Sequence, residues 1–151
     1  SEYLIKAGIT FTTAESCTGG FIANRLMQTP GISSVFPGSI VCYSNDVKIS
    51  ELGVDQAIIE EFGAVSEPCA LAMANGVRAK FNTQLAIVTT GIAGPDGGSK
   101  EKPVGLVYIA VSTETHSICK KFRLFGNREQ IIQRSSNAAI WMVKQVLTIP
   151  L

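Results

Sequence analysis

"ITFTTAESCTGGFIANRLMQ", residues 9–28, decides the fold. Residues 9–13 form a β-rich run, and residues 19–28 have helical character up to the break at Pro30 and Gly31. A strand that passes through a polar, glycine-containing turn straight into a helix is the building unit of an α/β sheet. Working outward, "SIVCY" (39–43) and "LAIVT" (85–89) are two further strands with continuous apolar character, as expected for strands covered on both faces. Short helices are predicted over 47–52 and 55–62, the second with Asp55 as N-cap. Ser66 caps a longer helix through residue 81, with Glu67 and Pro68 in its first turn. A helix also precedes the opening strand, over residues 1–7, and stops at Gly8. After a Gly/Pro-rich loop (91–103), residues 104–112 and 117–125 form a hairpin around "TETH", and a helix capped by Asn127 runs from about 128 to 147. The pattern predicts one α/β domain over 1–151: a three-layer α/β/α sandwich around a mixed sheet, mostly parallel, with the hairpin supplying its antiparallel part.

The composition supports a globular chain and narrows its partners. The 151 residues are 46% hydrophobic and 17% charged, with a net charge of +1. That balance gives no reason to expect nucleic acid or an anionic membrane as partner, and no apolar run is long enough to span a bilayer. The four cysteines (Cys17, Cys42, Cys69 and Cys119) show neither CxxC pairing nor metal-ligand spacing. We therefore expect free thiols, a reducing cytoplasmic compartment, no metal and no cofactor.

In an open α/β sheet, ligands collect beyond the carboxyl ends of the parallel strands. Three segments leave the first three strands there: "AESCTGG" (14–20), "YSNDVK" (43–48) and "TTGIAGPDGG" (89–98). Each is more polar or glycine-rich than a plain connection requires. In the first, Ser16 or Thr18 is a nucleophile or only a helix cap, and Cys17 a reactive thiol or a small buried side chain. The expected helix N-terminus would offer backbone N–H groups to an anion, with Gly19 and Gly20 permitting close approach. Glu15 is a salt-bridge partner or a group that orients the site. A serine nucleophile needs a base, and the single histidine, His116, falls in the predicted hairpin turn, so a Ser-His-Asp triad is not expected. Tyr43 and Lys48 are the alternatives, since a lysine desolvated in a pocket can act as a general base. Thr90 and Gly91 could hold an amide or oxyanion, and Arg128 could recognise phosphate through its planar fork. Neither a Walker A motif nor GxGxxG occurs in the expected context. Asp96 lacks a second ligand cluster for a metal.

Seven ordered segments carry a resemblance over nearly the whole chain: "TTAESCTGG", "GSIVCYSNDVK" with "LGV", "GAVSE", "MANGVR", "TTGIAGPDGG", "KPVGLVYIA" and "FGNREQI". The chain resembles the C-terminal domain of the competence/damage-inducible protein CinA, a family that includes the stand-alone nicotinamide-nucleotide amidohydrolase PncC. The resemblance implies a five-stranded mixed sheet and a deamidase that converts nicotinamide mononucleotide to nicotinic acid mononucleotide and ammonia. It implies a serine nucleophile with tyrosine and lysine in place of histidine, which fall on Ser16, Tyr43 and Lys48, together with Thr90 and Arg128. With these, Cys17, Thr18, Gly19, Gly20, Asn45, Gly91 and Gly94 are the expected substrate contacts. A homodimer and a further domain upstream in a longer protein are also expected on family grounds. The chain departs from the family pattern at Ile132, where a second arginine is common, and Arg134 is out of register with it. Asp46 stands where glutamate is common. Two other readings remain: a nucleotide-binding module without turnover inside a larger CinA protein, and a structural oligomerisation domain.

Overall fold

A computed structural model describes residues 1–148. Five strands form one sheet in the order β2-β1-β3-β4-β5. They are β1 Phe11–Glu15, β2 Ser39–Val41, β3 Leu85–Gly91, β4 Leu106–Thr113 and β5 Ser117–Arg123. β2, β1 and β3 are parallel neighbours, whereas β4 runs against both β3 and β5. The helices are α1 Glu2–Ala7, α2 Phe21–Met27, α3 Asn45–Leu52, α4 Gln56–Phe62, α5 Glu67–Phe81 and α6 Arg128–Thr148, with a 3-10 turn at Ile32–Ser34 that the sequence pattern does not announce.

The period-two alternation of strand side chains divides the core into two layers. Phe11, Leu85, Ile87, Val107, Ile109 and Val111 face α1, α2 and α6, where they meet Leu4, Ile22, Leu26, Ile131 and Met142. Ala14, Ala86, Val88 and Ala110 face the other way and pack with Leu52 of α3 and with Cys69, Met73 and Val77 of α5. The protein is thus an α/β/α sandwich with a five-stranded mixed sheet, as the sequence indicates.

Element ends differ from the sequence reading in instructive ways. β1 begins at Phe11, two residues later than expected, because Thr10 is engaged by the Gln84 side chain; it runs on through Ala14 and Glu15, which pair with β2 and β3. α3 begins at Asn45, since Ser44 caps it by accepting from the Val47 N–H. β2 is correspondingly short. The hairpin is shorter than expected at its open end, where β4 starts only at Leu106 and β5 stops at Arg123, its pairing partner. Asp55, Ser66 and Asn127 act as the expected caps. α2 is the exception. Its N-cap is Gly20, in a left-handed conformation at φ 93°, and no hydroxyl of Ser16 or Thr18 caps it.

One close approach positions the site. α3 and α5 touch where a Cβ on Gly76 would lie 1.8 Å from the Leu52 carbonyl oxygen. Only glycine permits that separation, which seats α3, and Lys48 with it, against the sheet edge.

Candidate active site

A cavity of about 250 Å³ opens at the carboxyl edge of β1, β2 and β3. Its lining brings together Ser16, Cys17, Tyr43, Asn45, Lys48, Thr90, Gly91, Gly94 and Arg128, all singled out by the sequence. A larger apolar cavity, about 370 Å³, lies between α1, α2 and α6 and gathers none of those groups. The carboxyl-edge cavity is therefore the candidate site.

At its floor, Lys48 Nζ lies 3.1 Å from Ser16 Oγ. Lys48 is only 2% exposed and Ser16 8%. Nζ also donates to the Cys42 carbonyl at 2.8 Å and reaches the Ser44 carbonyl at 3.5 Å. The one ion pair among the described residues is Lys80–Glu51, on the surface, so Lys48 has no carboxylate partner. Nζ is thus enclosed by two carbonyls and one hydroxyl, with the serine Oγ in direct reach.

Glu15 is the group that the sequence left undecided. Buried completely, it accepts from the N–H groups of Gly20, Ile22 and Ala23 at 3.1, 3.0 and 2.8 Å, and from the Thr13 hydroxyl at 3.2 Å. Its carboxylate therefore occupies the positive end of α2, which the sequence reading offered to a ligand. The Ser16 N–H is held by the Thr89 carbonyl, and the Gly19 N–H by the Ser16 carbonyl. Those of Cys17 and Thr18 are left as the turn donors not bonded to another residue.

Thr18, Gly19 and Gly20 do not line the cavity. The Thr18 hydroxyl pairs with that of Thr89 at 2.7 Å, and the two glycines serve the turn through positive φ values of 59° and 93°. Thr90 does line it, yet its hydroxyl donates to the Ala64 carbonyl at 2.7 Å. Its proton is therefore committed to holding the α4–α5 connection against the site. That connection adds Ala64 and Val65 to the lining, and Ile92, Ala93, Asp96 and Gly97 come from the β3–β4 loop. The sequence reading named none of these as contacts; the "GAVSE" segment was the available signal for the first pair. Arg134 donates to the Phe125 carbonyl and lies outside the cavity, while Ile132 packs on the core.

At the rim, Tyr43 is 62% exposed. Arg128 donates to the Tyr43 hydroxyl at 2.9 Å and to the Gly94 carbonyl at 2.6 Å. His116 is far away. β3 pairs its Leu85 end with Thr113, beside His116, and its Gly91 end with Val107, beside the site. Six residues of strand separate the two ends, roughly 20 Å.

The cysteines are free and three are buried. Burial pushes the Cys17 thiol up from 9.0 to about 12, Cys42 to about 11 and Cys119 to about 12. Cys17 is thus a neutral thiol beside the serine, poorly suited to attack near neutral pH. Between pH 9 and 12 the unfolded chain has shed protons that the folded chain keeps, so stability is expected to fall as pH rises through that window. Urea midpoints measured from pH 8 to 11 should decline above about 9, and iodoacetamide at pH 8 should label Cys17 only after unfolding. A flat profile would show that the thiols are solvated. Among the described residues no group of three or more His, Cys, Asp or Glu is gathered to hold a metal, and no helix is long and apolar enough to cross a membrane.

Comparison with known proteins places this architecture. Residues 1–147 match the family described as the CinA C-terminal domain. A CinA-like protein of Dictyoglomus turgidum is 50% identical over 128 residues, covering 85% of this chain and 31% of that protein. A putative competence-damage inducible protein of Acetivibrio thermocellus is 48% identical, covering 96% of this chain and 35% of its own length. The chain thus spans about a third of the length of the curated relatives it matches. Among solved structures, the competence/damage inducible protein CihA of Agrobacterium tumefaciens superposes with a TM-score of 0.94 at 38% identity, over 97% of this chain and 90% of that one. The competence damage-inducible protein A (ComA) of Klebsiella pneumoniae gives 0.95 at 29% identity, over 99% and 93%. Sequence motifs, sheet topology and these matches agree: the chain belongs to the CinA C-terminal domain family.

Proposed function

We propose that this domain hydrolyses the carboxamide of nicotinamide mononucleotide, giving nicotinic acid mononucleotide and ammonia. The observation that carries the reading is the buried Lys48 Nζ at 3.1 Å from Ser16 Oγ, on the floor of an open cavity. A neutral amine has two N–H donors and one lone pair. In the structure Nζ donates to the Cys42 and Ser44 carbonyls and to Ser16 Oγ; once the amine has given up its third proton, the two carbonyls keep the remaining N–H groups and its lone pair faces the Ser16 hydroxyl. Lys48 takes the Ser16 proton while Oγ bonds to the amide carbon. The carbonyl oxygen becomes an oxyanion, for which the N–H of Cys17, the turn residue after Ser16 on the cavity lining, is the backbone donor at hand. Collapse of the intermediate breaks the C–N bond, and the proton held on Lys48 leaves with the amine as ammonia. Water, deprotonated by Lys48, then cleaves the acyl-serine to the carboxylic acid and restores the serine. Arg128 at the rim suits the substrate phosphate. These steps need neither metal nor cofactor.

Purified protein incubated with nicotinamide mononucleotide and EDTA is expected to release ammonia and the acid mononucleotide in equal amounts. Loss of activity in chelator would overturn the serine–lysine scheme. Calorimetric binding of the mononucleotide without ammonia release would instead identify a nucleotide-binding module within a longer protein.

A further inference from the structure

Arg128 joins two loops at the rim. Its Nη1 donates to the carbonyl of Gly94, in the β3–β4 loop, and its Nη2 to the hydroxyl of Tyr43, in the β2–α3 connection. All three residues line the cavity that holds Ser16 and Lys48. Both acceptors are neutral. A guanidinium binds a phosphate dianion more strongly than a neutral oxygen, and its fork matches two phosphate oxygens. Asp96, also at the cavity, carries the opposing charge and leaves the Arg128 side as the place for an anion. Gly94 is buried, whereas Tyr43 is 62% exposed and little restrained by packing. Tyr43 is therefore the partner that gives way.

The geometry points to an exchange at Arg128: a phosphate monoester entering the cavity takes Nη2 from Tyr43, and the freed hydroxyl turns toward the amide above Ser16. This deepens the deamidase reading and, for its activity arm, rests on it. The substrate phosphate then acts on turnover and not on binding alone. The domain prefers a phosphorylated amide nucleotide over the matching nucleoside in kcat, with Tyr43 and Arg128 as the residues that set the preference.

The test has two arms, each with folding checked by circular dichroism. In the first, calorimetry measures inorganic phosphate binding to the whole chain. Tyr43→Phe has no hydroxyl bond to displace, so it is expected to bind phosphate about two- to tenfold more tightly than the unaltered chain, and Arg128→Met to lose binding. Equal or weaker binding by Tyr43→Phe overturns the exchange, whatever reaction the domain performs. In the second, ammonia release is compared for nicotinamide mononucleotide and nicotinamide riboside, with and without phosphite. The riboside is expected to show a kcat at least about tenfold lower, partly restored by phosphite, with no restoration in Arg128→Met. A riboside kcat equal to that of the mononucleotide, with only KM raised, overturns the exchange and leaves the deamidase reading standing. Absence of ammonia release from the mononucleotide overturns the deamidase reading, and the phosphate arm alone then judges the exchange.

Discussion

Ser16→Ala is expected to lower ammonia release from nicotinamide mononucleotide by on the order of 10⁴- to 10⁶-fold, the loss typical of a deleted nucleophile. Lys48→Met should cost about as much, because the two groups work as a unit; the double variant should be no worse than either single one. Cys17→Ala should stay within a few fold, since burial keeps that thiol neutral. Kinetics on the three variants check this directly. Equal losses in Ser16→Ala and Cys17→Ala would mean that the turn, not a nucleophile, had been broken. Lys48→Met has a second signature. It removes a buried amine that has no carboxylate partner, so its thermal midpoint should hold or rise while activity disappears.

Glu15→Ala is the largest expected stability effect. It strips three backbone N–H groups at the start of α2 of their acceptor, two of them fully enclosed. A lost helix cap and buried donors left unpaired together cost on the order of 3–6 kcal/mol. That is a large share of the roughly 5–15 kcal/mol by which domains of this size are stable. Urea unfolding would measure it. Glu15→Gln keeps the shape and one acceptor oxygen but turns an amide N–H₂ toward other N–H groups, so it should fall between the two. A loss under about 1 kcal/mol for Glu15→Ala would show that water satisfies the helix end instead.

The strands and the edge where the site lies were legible because they rest on local pattern. Residues 85–88 are apolar without interruption and β3 is buried on both faces, and the loops after β1, β2 and β3 meet because those strands run parallel. The roles within "AESCTGG" were not legible. Position alone left Glu15 as a salt-bridge partner or a group that orients the site, and only the fold reveals that α2 returns its N–H groups onto that carboxylate. The glycines invited a ligand-contact reading, whereas a turn reversing from β1 into α2 requires their positive φ. Ala64 and Val65 reach the cavity through a hydrogen bond from Thr90, 26 residues further along the chain, and no periodicity encodes that pairing. Lys48 looks like a surface residue until α3 is docked. The absence of a side chain at Gly76, 28 positions later, is what allows that docking.

The contrast between Lys48, 2% exposed, and Tyr43, 62% exposed, has a consequence for how such a domain diversifies. On the deamidase reading, the Ser16–Lys48 pair lies beneath the surface, where replacing either group removes activity whatever it does to folding, so the pair resists drift. On the same reading, the groups that sort one amide from another, Tyr43 and Arg128, are exposed at the rim. On that reading, new substrate ranges would be reachable through substitutions at the rim, with the Ser16–Lys48 pair inherited intact beneath them.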